Sequence, residues 1–282
     1  MQLLKIRDFS AFFSDTFQFI KENARHFFIN YFTINGIFLI LTLLKHYFSS
    51  PLNVTSWMFE WGFLLFSLLF GVINWSFVTI YMILYNEKGT NFNHKDIIAY
   101  YKANISKIVI YILVSILIAI PVIIVFYIVL LITMITIVGP FLIYAALFTW
   151  YSLAFYEYLY SDRPVFDCFG YAFTLIKKKF WAITSSTALL YLIISIIYGF
   201  ALGALGVFSV FTNMNSTNFL EKYMEFARVF STSKVMIMMT FLSILYVLMQ
   251  VVQGIVYFSQ KELVEHISAN KSIDEIGNIG ND

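Results

Sequence analysis

The sequence has little charge and almost no cysteine. Of its 282 residues, 12% are Asp, Glu, Lys or Arg, whereas an ordinary soluble domain has about 25%. Cys168 is the only cysteine, so the chain forms no internal disulfide and no thiolate metal site of its own. The formal net charge of +2 provides no field that would attract nucleic acid, and we predict no nucleic-acid partner. Disordered and disulfide-stapled proteins are excluded by the same figures.

Apolar residues are in excess. They make up 60% of the chain, 20% is aromatic, and the mean hydropathy is +0.80. A soluble fold of this composition would leave large apolar patches in water, which soluble monomers rarely tolerate. The sequence therefore predicts an all-α, polytopic integral membrane protein.

Six apolar segments are long enough to cross a hydrocarbon core of about 30 Å, which needs roughly 20 residues. Residues 108–156 contain neither a charge nor a histidine, and as one helix they would be about 73 Å long, so they must fold back. The turn is expected near Thr133–Thr136. The predicted spans are 27–44, 61–85, 108–131, 137–158, 180–208 and 235–258, within one membrane domain over 1–262 that is followed by a polar tail, 263–282.

Basic residues are concentrated on one side of these spans. Fourteen of the 18 lysines and arginines fall in the N-terminal segment, the 86–107 and 159–179 loops and the C-terminal segment. Because cytoplasmic loops carry the excess of Lys and Arg, both termini are predicted to be cytoplasmic. We expect a multi-pass membrane protein.

A repeated pattern precedes the first, third and fifth spans. Apolar residues recur there at steps of three and four, which predicts amphipathic helices lying in the membrane interface. Asn93 and Asp96 are placed to cap the second of these helices. The sequence thus predicts three copies of one interfacial helix followed by a two-span hairpin. The apolar positions are Phe9, Phe13, Phe17 and Ile20, then Ile98, Tyr101 and Ile105, then Phe166, Phe169, Phe173 and Ile176.

Several stretches resemble one bacterial membrane family. They are Phe17–Asn23, Val138–Tyr144, Phe155–Glu157, Arg163–Val165 and Phe173–Trp181. Together they are similar to the membrane domain attached to some glycerophosphoryl diester phosphodiesterases and to its stand-alone six-helix relatives of unknown function. The chain departs from that pattern at Val138-Gly139-Pro140, where the family more often has proline before glycine. The resemblance implies a six-helix domain of a bacterial inner membrane and no catalytic residues.

Two groups of residues are candidates for function. Against an anionic leaflet a lysine is worth about 1 kcal/mol, so basic side chains on the interfacial helices are candidates for binding lipid headgroups. The spans, which carry no charge at depth, also hold neutral polar side chains that either form interhelical hydrogen bonds or line a polar cavity. The headgroup candidates are Lys177, Lys178, Lys179, Lys102 and Lys21, and the intramembrane candidates are Asn74, Gln250 and Gln253.

These features favour a non-enzymatic protein with a lipid-interacting or membrane-organising role. The alternative is a transporter or channel for a lipidic or small neutral solute. A lipid enzyme is a third hypothesis and needs a carboxylate pair, such as Glu157 with Asp162 or Asp167. We predict no catalytic residue, cofactor or metal site. Bilayer lipids are the expected partners, and a homo-oligomer or a membrane-protein partner is compatible with the sequence.

Overall fold

The computed structural model is helical over the part of the chain that it describes, which is residues 1–48, 57–136, 138–212, 237, 238, 240, 242 and 244–267. Seven helices are described there: α1 (Phe9–Phe48), α2 (Trp57–Lys88), α3 (His94–Thr133), α4 (Val138–Tyr160), α5 (Val165–Lys178), α6 (Phe180–Thr212) and α7 (Tyr246–Glu265). Five segments of these residues are long and apolar enough to cross a membrane: Phe9–Leu44, Trp61–Lys88, His94–Thr133, Val138–Tyr160 and Phe180–Ala204. The chain is therefore a helical membrane protein with several spans.

The long apolar segment folds back where the sequence predicts. α3 ends at Thr133 and α4 begins at Val138. The turn is tight, since a Cβ built on Gly139 would lie 2.6 Å from the Thr133 carbonyl oxygen. A side chain at this position would force the two helix ends apart. The sixth predicted span, 235–258, lies partly outside the described residues, and its described second half belongs to α7.

The prediction of a separate interfacial helix before each hairpin is wrong for the first two copies. α1 runs without a break from Phe9 to Phe48, and α3 runs from His94 to Thr133. In both copies the amphipathic segment passes into the span as one continuous helix. A helix of 40 residues is about 60 Å long, twice the hydrocarbon core, so part of each must lie beyond it.

The third copy does begin with its own helix. α5 stops at Lys178 because Lys179 has non-helical backbone angles (φ −138°, ψ 44°), and α6 starts at the next residue. The cap predicted for the second copy is also present. The Asn93 side chain accepts from the Lys95 amide at 2.8 Å, and the Asp96 carboxylate accepts from the Asn93 amide at 2.8 Å. These two bonds fix the first residue of α3.

The chain divides into two compact units. The first consists of Met1–Asn30, Ser76–Tyr191 and Leu248–Asp282, and the second of Tyr31–Trp75 and Leu192–Val247. In the second unit, Phe38 stacks on Phe70 with ring centroids 5.6 Å apart. Aromatic packing of this kind supplies its interior contacts.

The interior of the first unit is built around α7. Every residue from Val251 to Glu262 is buried, so this stretch is surrounded on all sides. An aromatic cluster of Phe19, Tyr81 and Phe92 packs elsewhere in the same unit, with Tyr81 and Phe92 5.1 Å apart. Because α7 faces protein, it can carry polar side chains that a lipid-facing helix could not.

Candidate functional site

The three consecutive candidate lysines, Lys177, Lys178 and Lys179, do not lie in one environment in the structure. Lys177 and Lys178 are exposed at the end of α5. Lys179 is half-buried, and its Nζ donates a hydrogen bond to the Arg7 carbonyl oxygen at 2.9 Å. The structure therefore assigns Lys179 to internal packing and leaves the first two lysines on the surface.

Three of the predicted headgroup lysines share one arrangement. Lys21, Lys102 and Lys177 are all exposed, and each follows an exposed large apolar residue by four positions. Residues four apart lie on the same face of a helix, so each lysine is one turn after its apolar neighbour on the same face. The apolar partners are Phe17 (42% exposed), Ile98 (40%) and Phe173 (62%). The repeat seen in the sequence is thus a repeated surface feature of the first unit.

Helix α5 has two apolar faces. The first, containing Cys168, Phe169, Ala172, Leu175 and Ile176, is buried in the first unit. The second exposes Phe166 and Phe173, and Trp181 just beyond the helix is 71% exposed. A helix with a buried face and an exposed aromatic face has the shape expected at a membrane interface, where aromatic rings anchor at headgroup level.

A buried ion cluster joins the end of α4 to α7. Glu157 is completely buried, and its Oε2 accepts from the Lys261 Nζ at 2.8 Å and from the Tyr257 hydroxyl at 2.7 Å. Its Oε1 lies 2.9 Å from Nε of Arg163. Oε2 therefore accepts two hydrogen bonds, whereas Oε1 has the ion pair with Arg163 and no hydrogen bond.

The cluster continues to the surface through Glu265. The Glu265 carboxylate accepts from the Tyr171 hydroxyl at 2.5 Å and lies 3.4 Å from the Lys261 Nζ. The guanidinium of Arg163 covers the Tyr171 ring, 4.2 Å from its centroid. Burial together with the neighbouring Glu265 raises the pKa of Tyr171 above its usual range. Two carboxylates and two cations thus neutralise one another.

The lipid-enzyme hypothesis paired Glu157 with Asp162 or Asp167, and the structure shows the partners of the first two. Asp162 is paired with Lys107, 3.6 Å away, and Glu157 is held by two cations and a tyrosine. Glu157 therefore serves to fix α7 against α4. Reasoning from the sequence did not single out Lys261 or Tyr257 as site residues, although a lysine one turn after a tyrosine at the end of a predicted span was a visible signal.

Arg7 is a second buried basic residue. It is 1% exposed, its Nε donates to Asp15 at 2.7 Å, and its remaining nitrogens donate to the carbonyl oxygens of Gln2, Leu3 and Lys5. Its own amide donates to Ser259 Oγ of α7 at 3.0 Å. Together with the bond from Lys179, these contacts tie the segment before α1 to α7 and to the α5–α6 junction.

The intramembrane polar candidates lie in different units. In the second unit, Asn74 accepts from the Tyr31 hydroxyl at 2.8 Å. In the first, Gln253 is fully buried and donates to Thr187 Oγ1 of α6 at 3.2 Å, while Oε1 of Gln250 is buried. The bonds of Asn74 and Gln253 are interhelical hydrogen bonds, which in membranes contribute about 0.6 kcal/mol on average.

The thiol of Cys168 is buried against the α4–α5 loop. Its Sγ lies 3.7 Å from the Arg163 carbonyl oxygen, and burial raises the pKa of the thiol to about 12. Among the described residues, no three His, Cys, Asp or Glu side chains are grouped so that they could hold a metal ion. Both ring nitrogens of His26 are in contact with protein groups, at 2.7 Å from the Tyr81 hydroxyl and 2.7 Å from the Phe92 carbonyl oxygen.

Comparison with known proteins adds no assignment, because no family model, curated protein or solved structure matches this chain.

Proposed function

We propose that the chain is a non-enzymatic protein of a bacterial inner membrane that binds anionic lipid headgroups at the cytoplasmic leaflet. In this proposal it has six spans in three hairpins, with both termini in the cytoplasm, as in the family that its sequence resembles. The asymmetry of lysine and arginine supports this orientation. Lipid binding on this side would let the protein organise the membrane around it.

The observation that carries the proposal is a pair that occurs three times. Each pair consists of an exposed apolar residue and the exposed lysine four positions after it. In this proposal each lysine meets a lipid phosphate, and Phe17, Ile98 or Phe173, on the same helix face one turn earlier, contacts the headgroup region beside it. The lysine contributes about 1 kcal/mol to the binding of an anionic lipid, which corresponds to roughly a fivefold change in affinity.

The experiment compares two triple variants that lose the same charge. The test variant is K21Q/K102Q/K177Q. The control, K5Q/K88Q/K95Q, also removes three exposed lysines of the first unit, and none of them follows an exposed large apolar residue by four positions. Phosphatidylglycerol and phosphatidylcholine are titrated into each purified protein, and the bound lipids are counted by native mass spectrometry.

We expect the test variant to bind phosphatidylglycerol about fivefold more weakly at each site, with phosphatidylcholine unaffected. The control variant is expected to stay within about twofold of the wild type, and added salt is expected to reduce the difference. Equal losses in the two triple variants would mean that net charge alone attracts the lipid, and the proposal would then be wrong.

A further inference from the structure

Helix α7 carries a row of polar side chains whose hydrogen bonds protein groups supply only in part. The members of the row recur at steps of three and four, so they share one face of the helix. They are Gln250, Gln253, Tyr257 and Gln260. Gln260 is completely buried, and neither polar atom of its amide has a hydrogen-bond partner among the described residues. Buried polar groups are nearly always hydrogen-bonded, so an amide without partners at this place requires an explanation.

The other two glutamines of α7 share this deficit. Gln253 is completely buried, and its Nε2 donates to Thr187 Oγ1 of α6 at 3.2 Å, but its Oε1 has no partner in the described part of the chain. Turning the amide would exchange the two atoms and leave the other one unpaired. Oε1 of Gln250, one turn earlier, is likewise buried without a described partner.

Helix α6 packs beside this face and runs antiparallel to α7. Thr187 of α6 accepts from Gln253 of α7. Lys179, one residue before α6, donates to the Arg7 carbonyl oxygen, and the Arg7 amide donates to Ser259 of α7. Low residue numbers on α6 therefore lie at the level of high residue numbers on α7.

Thr184 adds an unpaired hydroxyl between the glutamines. It is one turn from Thr187 on the same side of α6, at the level of α7 between Gln253 and Gln260. Its side chain is completely buried, and its Oγ1 has no partner among the residues that the structure describes. Unpaired polar groups thus follow one another along the contact of the two helices, the α6–α7 seam (Gln250, Gln253, Thr184 and Gln260). The seam covers ten residues of α7, which is about 15 Å of helix.

The spacing of the seam matches single water molecules. Side chains three or four residues apart on a helix have Cβ atoms about 5–6 Å apart. One water that bonds to two groups spans about 5.6 Å, because each hydrogen bond is about 2.8 Å long. The Tyr257 hydroxyl, between Gln253 and Gln260, donates to Glu157 and can still accept a bond from such a water.

The chemistry of the seam selects a small neutral molecule that both donates and accepts hydrogen bonds. An anion would be repelled by the amide oxygens. A cation would need an uncompensated negative charge, and Glu157, the carboxylate that Tyr257 bonds, is already paired with Lys261 and Arg163. Water is the smallest molecule of this kind, and a buried water typically makes about three hydrogen bonds to groups that the protein leaves unpaired.

We propose that the α6–α7 seam binds a row of ordered water molecules inside the first unit. The row satisfies the three glutamines and Thr184 in turn and reaches the buried ion cluster at Tyr257. It gives the membrane domain a polar path beside α7 that headgroup binding does not require. The proposal rests on buried groups and not on the exposed lysines, so it goes beyond the proposed lipid function.

Radiolytic labelling of the wild-type protein in nanodiscs tests for water in the seam. Hydroxyl radicals formed from bound water by X-ray pulses modify the side chains beside it, and mass spectrometry locates the modification. Tyr257 and Tyr111 are matched reporters, because both are completely buried and both hydroxyls donate to a protein oxygen. Tyr111 packs against the rings of Phe155 and Phe169. We expect rapid modification of Tyr257 and slow modification of Tyr111, and equally slow modification of both would overturn the proposal.

Two near-isosteric variants, T184V and Q260M, remove seam groups and show whether the water lies there. The control is T16V, since Thr16 is also completely buried and its hydroxyl donates to the Phe12 carbonyl oxygen at 2.7 Å. We expect T184V and Q260M to reduce the modification of Tyr257 to the level of Tyr111, whereas T16V leaves it unchanged. They should also lower the unfolding midpoint, because the remaining seam groups lose a bridging water.

Three results would contradict the proposal. If the seam is dry, removal of its unpaired groups raises the midpoint in T184V and Q260M. Unchanged modification of Tyr257 in these variants would place the water elsewhere. A midpoint that rises in sodium or potassium chloride but not in choline chloride would show a bound cation in place of water. The variant K21Q/K102Q/K177Q should leave the modification of Tyr257 unchanged, so this proposal and the lipid function can fail separately.

Discussion

Replacement of Lys261 by methionine tests whether the buried ion cluster holds α7 in place. The lysine side chain is 7% exposed, and its Nζ is 2.8 Å from Glu157, which is completely buried. Removing one partner of a buried ion pair costs about 3–5 kcal/mol, because the other charge stays buried without compensation. Arg163 would remain 2.9 Å from Glu157 but is itself 45% exposed, so we expect a loss near the lower end, about 3 kcal/mol.

A loss of this size should lower the apparent unfolding midpoint by about 6–12 °C, if 1 kcal/mol shifts it by roughly 2–4 °C in a protein of this size. The midpoint is measured in detergent at one fixed scan rate, since unfolding of such proteins is often irreversible. K95M is the matched control, because Lys95 is exposed.

The double variant E157Q/K261M separates charge from packing. Removal of both charges leaves no uncompensated ion, so we expect it to be more stable than K261M alone by at least about 1 kcal/mol. The reasoning is refuted if K261M unfolds at the same temperature as K95M, or if the losses from E157Q and K261M simply add.

Three further predictions concern buried positions. R7M should destabilise the protein by about 3 kcal/mol or more. R7K should also be destabilised, because lysine cannot form the forked hydrogen bonds that Arg7 donates to Asp15 and to three carbonyl oxygens. An R7K variant with the wild-type unfolding midpoint would contradict this prediction. G254A should lower the midpoint, since a Cβ there would lie 2.7 Å from the Tyr156 hydroxyl, whereas G203A, in open space, should leave it unchanged or slightly higher. Cys168 should react with maleimide about a thousandfold more slowly at pH 7 than a thiol of pKa 9.0, because only the thiolate reacts and burial raises the pKa to about 12. Its rate should rise about tenfold per pH unit, and rapid labelling at pH 7 would show that the thiol is not buried.

Much of the repeat could be predicted from the sequence because hydrophobic periodicity depends only on residues that are close together in the chain. The steps of three and four in each copy predicted helices, and the structure has helices there. The prediction of one membrane-facing side is only partly right in the third copy: Phe166 and Phe173 are exposed, whereas Phe169 and Ile176 are buried in the first unit. The position of the α3–α4 turn followed from helix length alone. The repeat did not reveal that two of the amphipathic segments continue directly into their spans, because a missing break leaves the same periodicity.

The sequence showed that charged residues are scarce, but it indicated the roles of the individual charged residues only in part. Composition identified the membrane as the solvent, because few ionisable groups are tolerated in hydrocarbon. Counting could not tell exposed Lys177 from Lys179, Arg7 and Lys261, which are bonded inside the protein. That distinction depends on which distant segments meet.

The sequence by itself thus determined the membrane environment, the helical class and the turn between α3 and α4, since each follows from neighbouring residues. Only the tertiary structure decided that α7 is enclosed by protein and that Glu157 meets Lys261 across 104 residues. The physical reason is that burial and ion pairing are set by contacts between segments far apart in the chain, and local periodicity carries no record of them.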